Sequence, residues 1–415
     1  MTSLDSSFYQ FANSFLSSVD RTLATKYRGD FGGRQPIHTC YVPADRLTAN
    51  SPADWGNLAI EMLEEHSPTP HHFAKITGAN QELVEEVFER AGHKLVAEPI
   101  EDLRIDFEDG YGRRGDDEED DHLDAALEAF GSLRAPFKGI RIKSMEQITR
   151  DRGLRTLDRF VNGIIKNGTY QDDFIITLPK VTFGDQVEFM VQALEQIEKS
   201  NGLTSGTIKF EIQIETTQAI IGPDGALTAA GFLDRAGGRL TAFHFGTYDY
   251  SAAAGISAAY QTLDHPAADF AKTALQVVVG GTTVRLSDGS TNILPIGTTL
   301  EVHAAMHNHY RLVRRALERG FYQGWDLHGT QLPTRILANW IFYREGLQSA
   351  ATRLRNYLDK AESGTMDEPA TALVLARYFM RGLDCGAIES SEVQALANQS
   401  ENDLRTLIAN KGVVR

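Results

Sequence analysis

The sequence predicts an α/β protein, a (β/α)8 TIM barrel with an N-terminal helix and a C-terminal helical extension. Short apolar, β-branched runs recur through the middle of the chain, and segments with helical spacing separate them. This alternation is typical of parallel strands joined by right-handed helical crossovers. Consecutive runs also end close to an ionisable residue at nearly constant intervals, which favours a closed barrel of similar units.

The first six predicted strands cover residues 37–42, 103–107, 139–142, 174–178, 208–214 and 240–245. The second to sixth runs end at or just before Asp106, Arg141, Lys180, Glu215 and Asp249, which lie 34 to 39 positions apart. A barrel unit has roughly 31 residues, so each interval fits one unit. A seventh strand within 284–294 and an eighth beside Asp326 complete the barrel. A doubly wound open sheet is the alternative, but this chain lacks the usual glycine-rich first turn.

We divide the chain into an N-terminal helical segment at 1–35, a catalytic barrel at 36–335 and a helical extension at 336–415. The spacing of apolar residues predicts an amphipathic helix over 6–25 that packs on the chain that follows. After Pro333 we expect helices over 335–360, 369–382 and 391–408, with a linker over 361–368. The extension is expected to serve packing or an oligomer surface.

Composition limits the possible partners. The chain has 41 Lys and Arg against 56 Asp and Glu, a net charge of −15. Nucleic acids and anionic membranes would repel such a protein, so neither is an expected partner. Its two cysteines, Cys40 and Cys385, cannot build a disulfide framework or a thiolate zinc site and suit a reducing compartment. With no apolar run long enough to span a bilayer and no signal-peptide pattern, we expect a cytoplasmic protein.

Two acids are candidate metal ligands. Glu215 ends the fifth run, and Asp249 follows the sixth. Adjacent strands lie about 4.8 Å apart, so these carboxylates can reach one cation. Mg²⁺ commonly takes one or two carboxylates and completes its coordination with water and substrate oxygens. The alternative is that each acid caps a helix or pairs with an arginine.

Four further side chains are candidates for substrate contact. Arg141 could grip a carboxylate and stabilise an enolate oxygen, although an ion pair with a nearby acid would also explain it. Arg46, after the first run, is a second anion-binding candidate. Asp326 and His328 at the eighth strand could touch substrate.

Lys180 suggests a competing chemistry. A lysine at the end of a barrel strand can form a Schiff base with a 2-oxo acid when its pKa is depressed. Nearby acids would instead raise the pKa of Lys180, so we favour an electrostatic, substrate-binding role.

Seven short motifs occur in an order that resembles the citrate lyase beta-subunit / HpcH-HpaI aldolase family of the phosphoenolpyruvate/pyruvate barrel superfamily. They are Val42-Pro-Ala-Asp-Arg46, Asp106-Phe-Glu-Asp109, Arg141-Ile-Lys143, Leu178-Pro-Lys180, Ile214-Glu-Thr216, Phe245-Gly-Thr-Tyr-Asp249 and Leu327-His-Gly-Thr-Gln331. The resemblance covers roughly residues 37–335. The family's Arg-Val-Asn is Arg141-Ile-Lys143 here, and its His-Pro is His328-Gly329.

The resemblance implies a role for each site residue. Glu215 and Asp249 would bind Mg²⁺ or Mn²⁺, and Arg141 with Arg46 would bind substrate and act in catalysis. Glu108 and Asp109 would contact the arginines rather than the substrate and would fix the positions of the guanidinium groups.

The implied activity is a Mg²⁺-dependent carbon–carbon lyase that cleaves a small 2-oxo acid or an acyl-coenzyme A through an enolate. A homo-oligomer is expected. Two alternatives stay open: a malate synthase-like Claisen condensation at the same site, and a non-catalytic barrel that binds an oxo acid.

Overall fold

The computed structural model describes residues 3–30, 32–359 and 368–412. Eight parallel strands form one sheet in the order β7-β6-β5-β4-β3-β2-β1-β8. The strands are β1 His38–Pro43, β2 Asp102–Asp106, β3 Phe137–Arg141, β4 Ile175–Leu178, β5 Lys209–Ile214, β6 Leu240–Phe245, β7 Arg285–Ser287 and β8 Gly324–Asp326. Asp288 N–H donates to Gln323 O at 2.8 Å, and Trp325 N–H donates to Gly289 O at 3.2 Å. These bonds bring the two edges together, so the predicted (β/α)8 barrel is confirmed.

Helices surround the barrel and extend beyond it. Those up to the sixth strand are α1 Ser6–Lys26, α2 Ser51–His66, α3 Pro70–Thr77, α4 Gln81–Ala97, α5 Asp116–Phe130, α6 Arg150–Lys166, α7 Gly184–Ser200, α8 Thr217–Ile220 and α9 Thr228–Arg235. The later ones are α10 Thr247–Ala253, α11 Pro266–Val279, α12 Thr299–Glu318, α13 Leu332–Leu358, α14 Pro369–Asp384, α15 Ser390–Ala397 and α16 Glu401–Ala409. Short 3-10 turns cover Ala44–Arg46, Ala258–Tyr260 and Gly329–Gln331.

The barrel has a polar interior and an apolar outer surface. Along β5, Ile212 and Ile214 pack into the hydrophobic core, while the residues between them point the other way. Glu211 on this strand accepts hydrogen bonds from Arg104 on β2 at 3.1 and 3.0 Å. These strands are not neighbours, so the bonds cross the barrel interior. Glu215 is in phase with Glu211, and it therefore belongs to the inner set at the carboxyl end.

The insertion after β1 and the C-terminal extension pack on each other. Helices α2, α3 and α4 form the insertion, and α13 contacts α4, α12 and α14. The helix predicted over 391–408 is in fact two helices, because Asn398 adopts a left-handed backbone with φ 55° and Ser400 caps α16. All of the predicted linker except Glu368 lies outside the described residues.

Helix α1 forms as predicted, but the packing expected of it does not. None of its side chains is buried, and Phe15 on its apolar face is 69 % exposed. At its carboxyl end, Lys26 Nζ lies 2.6 Å from Asp234 Oδ1. Among the helices of the described residues, none combines the length and apolarity of a membrane span.

Candidate active site

A cleft of about 580 Å³ opens at the carboxyl ends of the strands. This is the face on which (β/α)8 enzymes carry their active sites. The cleft is lined by six of the nine candidate site residues predicted from the sequence: Arg46, Asp109, Arg141, Glu215, Asp249 and His328. The barrel thus gathers residues that are up to 282 positions apart in the chain.

Three carboxylates converge in this cleft. Oxygens of Asp109, Glu215 and Asp249 all lie within 4.8 Å of one another, close enough to hold one metal ion. Glu215 directly follows β5 and is 4 % exposed, while Asp249 lies in the first turn of α10. The pair expected from the sequence is therefore brought together. Asp109, expected only to support an arginine, lies with them.

The backbone around Glu215 determines where its carboxylate lies. The Lys180 N–H donates to Glu215 Oε2 at 2.9 Å. On the other side, a β-carbon at Gly246 would lie 2.6 Å from Glu215 Oε1. Glycine at position 246 therefore leaves the space that the carboxylate fills.

The Lys180 ammonium lies among the acids. Its Nζ is 2.6 Å from Glu108 Oε1, 2.6 Å from Asp109 Oδ1 and 3.4 Å from Asp249 Oδ2. Burial alone would lower the pKa of Lys180, but the charge of Glu108 and the hydrogen bonds to Asp109 and Glu108 outweigh burial and raise it. A protonated amine cannot attack a carbonyl carbon, which disfavours the Schiff-base alternative.

The site holds more negative charge than its own cations balance. In this part of the described structure, two cationic side chains, Arg141 and Lys180, contact a group of five carboxylates: Asp106, Glu108, Asp109, Glu215 and Asp249. Burial, with the charges of Glu108 and Asp249, raises the pKa of Glu215 to about 8. Burial, with the charge of Asp109, raises the pKa of Glu108 to about 7. Hard oxygen donors with excess negative charge are a suitable ligand set for Mg²⁺ or Mn²⁺.

Arg141 is held by a two-pronged ion pair. Its Nε and Nη2 each donate to the Asp106 carboxylate at 2.7 Å. The guanidinium carbon lies 4.5 Å from the centre of the Tyr41 ring, and Nη1 lies 3.4 Å from Gln213 Oε1. The expected ion pair therefore exists, and Arg141 lines the cleft while it is held by Asp106.

Arg46 and His328 follow β1 and β8, which are neighbouring strands of the barrel. Arg46 ends the 3-10 turn Ala44–Arg46, its side chain is exposed, and no acidic side chain of the described residues pairs with it. His328 Nδ1 lies 3.0 Å from Thr330 Oγ1, and burial lowers the pKa of the ring. Both side chains thus offer polar atoms to the cleft, Arg46 as a cation and His328 as a neutral ring.

Asp326 does not face the cleft, and the expectation that it touches substrate is corrected. It is fully buried, and Arg335 donates to both of its oxygens at 3.0 to 3.2 Å. Its Oδ2 is 2.8 Å from His38 Nδ1. On β8, Trp325 takes the inner position, where its Nε1 donates to His244. Successive strand residues point to opposite faces, so Asp326 points outward to the helices.

Sequence reasoning missed an aromatic wall of the cleft. Trp55, on α2 of the insertion, lies 6.4 Å from the His328 ring, centre to centre. Tyr41 and Trp325 lie 5.1 Å apart, and Tyr248 also lines the cleft. Tyr41 and Trp325 could have been found from their inward phase on β1 and β8. The regular spacing of the strand–helix units gives no indication of Trp55, because this residue lies in an insertion outside those units.

Fold and cleft together define a (β/α)8 barrel with an acidic, arginine-bearing site at its carboxyl face. The chain belongs to the family described as "Domain of unknown function (DUF6986)", whose model matches residues 16–411. No curated protein matches the chain.

Solved structures with a similar fold include a citrate lyase from Burkholderia xenovorans LB400. It is 16 % identical, the match covers 88 % of this chain and 97 % of that one, and the TM-score is 0.57. At this identity the similarity shows the fold alone, so it supports the barrel, and membership of the citrate lyase beta-subunit family stays a prediction.

Two further structures are similar at a lower score. CitE from Mycobacterium tuberculosis, in complex with magnesium, acetoacetate and coenzyme A, is 15 % identical, with 86 % and 99 % of the two chains covered and a TM-score of 0.48. A magnesium/glyoxylate complex of Haloferax volcanii malate synthase is 12 % identical, with 90 % and 97 % covered and a TM-score of 0.48.

Proposed function

We propose that this protein is a Mg²⁺-dependent carbon–carbon lyase that cleaves a small 2-oxo acid or acyl-coenzyme A through an enolate. The observation that carries the proposal is the convergence of Asp109, Glu215 and Asp249 at the catalytic face of the barrel. Structural acids are normally neutralised one by one, whereas this cluster retains excess negative charge beside an open cleft. The motif resemblance and the fold shared with a citrate lyase support the same activity.

Asp109, Glu215 and Asp249 are the residues that would hold the cation. Their oxygens are hard ligands, which suit Mg²⁺ and also Mn²⁺. When bound, the cation supplies Lewis acidity toward a substrate carboxylate and its adjacent oxo or hydroxyl oxygen.

The arginines act on the anionic substrate. Arg141, aimed by Asp106, stabilises the charge that develops on the enolate oxygen as the carbon–carbon bond breaks. Arg46 has no acidic partner within the described structure, so its guanidinium is available for a substrate carboxylate at the cleft rim. His328 adds a neutral hydrogen-bonding ring on the same wall.

A substrate screen tests the activity. The purified protein is incubated with 2-oxo acids and with malyl-, citramalyl- and citryl-coenzyme A, in Mg²⁺ or in EDTA, and the products are followed. The lyase proposal expects cleavage in Mg²⁺ and none in EDTA. Activity that survives EDTA and is trapped by borohydride would instead assign the chemistry to Lys180.

The same assay, with acetyl-coenzyme A and an oxo acid also supplied together, covers the two alternatives. Net condensation of an acyl thioester with an oxo acid would make the protein a synthase. Metal-dependent binding of an oxo acid without turnover would make it a non-catalytic barrel. The expected homo-oligomer stays a prediction, which light scattering of the full chain tests.

A further inference from the structure

The Lys180 ammonium occupies oxygens that the proposed metal ion also needs. Lys180 Nζ is 2.6 Å from Asp109 Oδ1 and 3.4 Å from Asp249 Oδ2, and both acids belong to the converging group of three. An ammonium and a divalent cation repel each other strongly at such distances in a partly buried site. One of the two therefore has to leave Asp109 and Asp249 when the other is present.

Two contacts keep the lysine at the site if it releases those acids. Its Nζ also lies 2.6 Å from Glu108 Oε1, and Glu108 is outside the converging group. Its backbone N–H is bonded to Glu215 Oε2 at 2.9 Å. The Lys180 backbone is left-handed, with φ 52°, which is uncommon for a residue other than glycine and often marks a functional position. The Lys180 ammonium can thus change partners while the backbone of Lys180 stays in place.

We propose that Lys180 is a tethered counter-ion that competes with the divalent cation for Asp109 and Asp249. Without a cation it neutralises these two acids, and cation entry moves the ammonium onto Glu108 alone. This exchange keeps the acidic cluster together before metal binds, and it lowers the apparent metal affinity of the site. The inference rests on the proposed metal-dependent function.

Mn²⁺ binding to the full-length protein tests the exchange, measured by electron paramagnetic resonance titration. Lys180→Gln removes the competitor, so we expect Mn²⁺ to bind about tenfold more tightly, within the range usual for coupled binding at one site. The matched control is Lys166→Gln, which removes the same charge from an exposed position on α6 and should leave the affinity unchanged. A purely structural role for Lys180 would produce weaker binding in Lys180→Gln, which would overturn the inference.

The outcomes separate the inference from the function on which it rests. Binding in the wild type with no tightening in Lys180→Gln removes the inference and leaves the metal site standing. Binding in neither protein removes both. A crystal structure with Mn²⁺ bound is an independent readout: Nζ should have left Asp109 and Asp249 and kept Glu108, and an Nζ still bonded to both aspartates would contradict the exchange.

Discussion

Gly246 borders Glu215 so closely that any side chain at position 246 would displace the carboxylate. A β-carbon there would lie 2.6 Å from Glu215 Oε1 and 2.9 Å from its carboxyl carbon. The φ of Gly246 is −91°, which any residue can adopt, so the requirement is for space and not for backbone freedom. The glycine after β6 therefore helps to set the position of Glu215, the proposed metal ligand that directly follows β5.

Gly246→Ala should consequently weaken Mn²⁺ binding and activity by about ten- to a hundredfold, the usual cost of disturbing a group that orients a ligand. Gly231→Ala is the matched control, since a β-carbon there meets nothing within 4 Å. Mn²⁺ titration and circular dichroism measure affinity and fold. Equal metal affinity in the two variants would show that Glu215 can hold its place without the glycine.

Removing one charge from a metal ligand should abolish activity and leave the fold intact. Glu215→Gln and Asp249→Asn each take away an anionic oxygen donor, and we expect activity to fall more than about a hundredfold. Glu61→Gln, at an exposed position on α2, controls for the change in net charge. Product assays with thermal melting report both effects. Retained activity in either ligand variant would count directly against the metal assignment.

Arg46→Ala should act on substrate binding alone. The side chain is exposed and unpaired among the described residues, so the melting temperature should not change. Loss of one charged hydrogen-bonding partner should raise KM about ten- to a hundredfold with kcat little altered. Arg46→Lys keeps the positive charge but loses the two-pronged hydrogen-bonding geometry, so its KM should lie between those of the wild type and Arg46→Ala. Unchanged KM in Arg46→Ala would exclude Arg46 from the substrate site.

Acid should destabilise the protein through His309. Burial lowers the pKa of this histidine below its ordinary 6.5, so the folded protein keeps the ring neutral while the unfolded chain takes up a proton. Stability is therefore lost as the pH falls through 6.5 and below it.

Urea unfolding at pH 7.5 and pH 5.5 measures this loss. His309→Gln should show a smaller difference between the two pH values than the wild type, whereas His93→Gln, at an exposed position, should match the wild type. The same pH difference in His309→Gln and wild type would assign the acid sensitivity to other groups.

The strands can be predicted from the sequence because apolar residues, which are buried against the helices, alternate along each strand with polar residues that face the barrel interior. Asp106, Arg141 and Glu215 share the inner phase at the strand ends, so spacing alone indicates that they lie at one face. The prediction for Asp326 was wrong because this residue points to the outer face of the barrel, one position away from the inward-facing Trp325. An apolar run in the sequence does not locate the end of a strand to within one residue, so it cannot decide which face a side chain takes.

Other features depend on contacts that only the folded chain makes. Asp109 lies in a loop, and the path of that loop brings its carboxylate to Glu215 and Asp249. Trp55 reaches the cleft because the insertion folds over β8, where a β-carbon at Gly329 would lie 2.7 Å from Trp55 O. Helix α1 has the amphipathic pattern of a packed helix, but periodicity reveals only an apolar face and not what covers it.

The most direct test of the account is the anomalous diffraction of a crystal soaked in Mn²⁺. We predict a single strong peak between Asp109, Glu215 and Asp249, within direct coordination distance of an oxygen of each. That peak should disappear in Glu215→Gln. A fully soaked crystal with no peak in this cleft, or with the ion bound by other residues, would contradict the central claim.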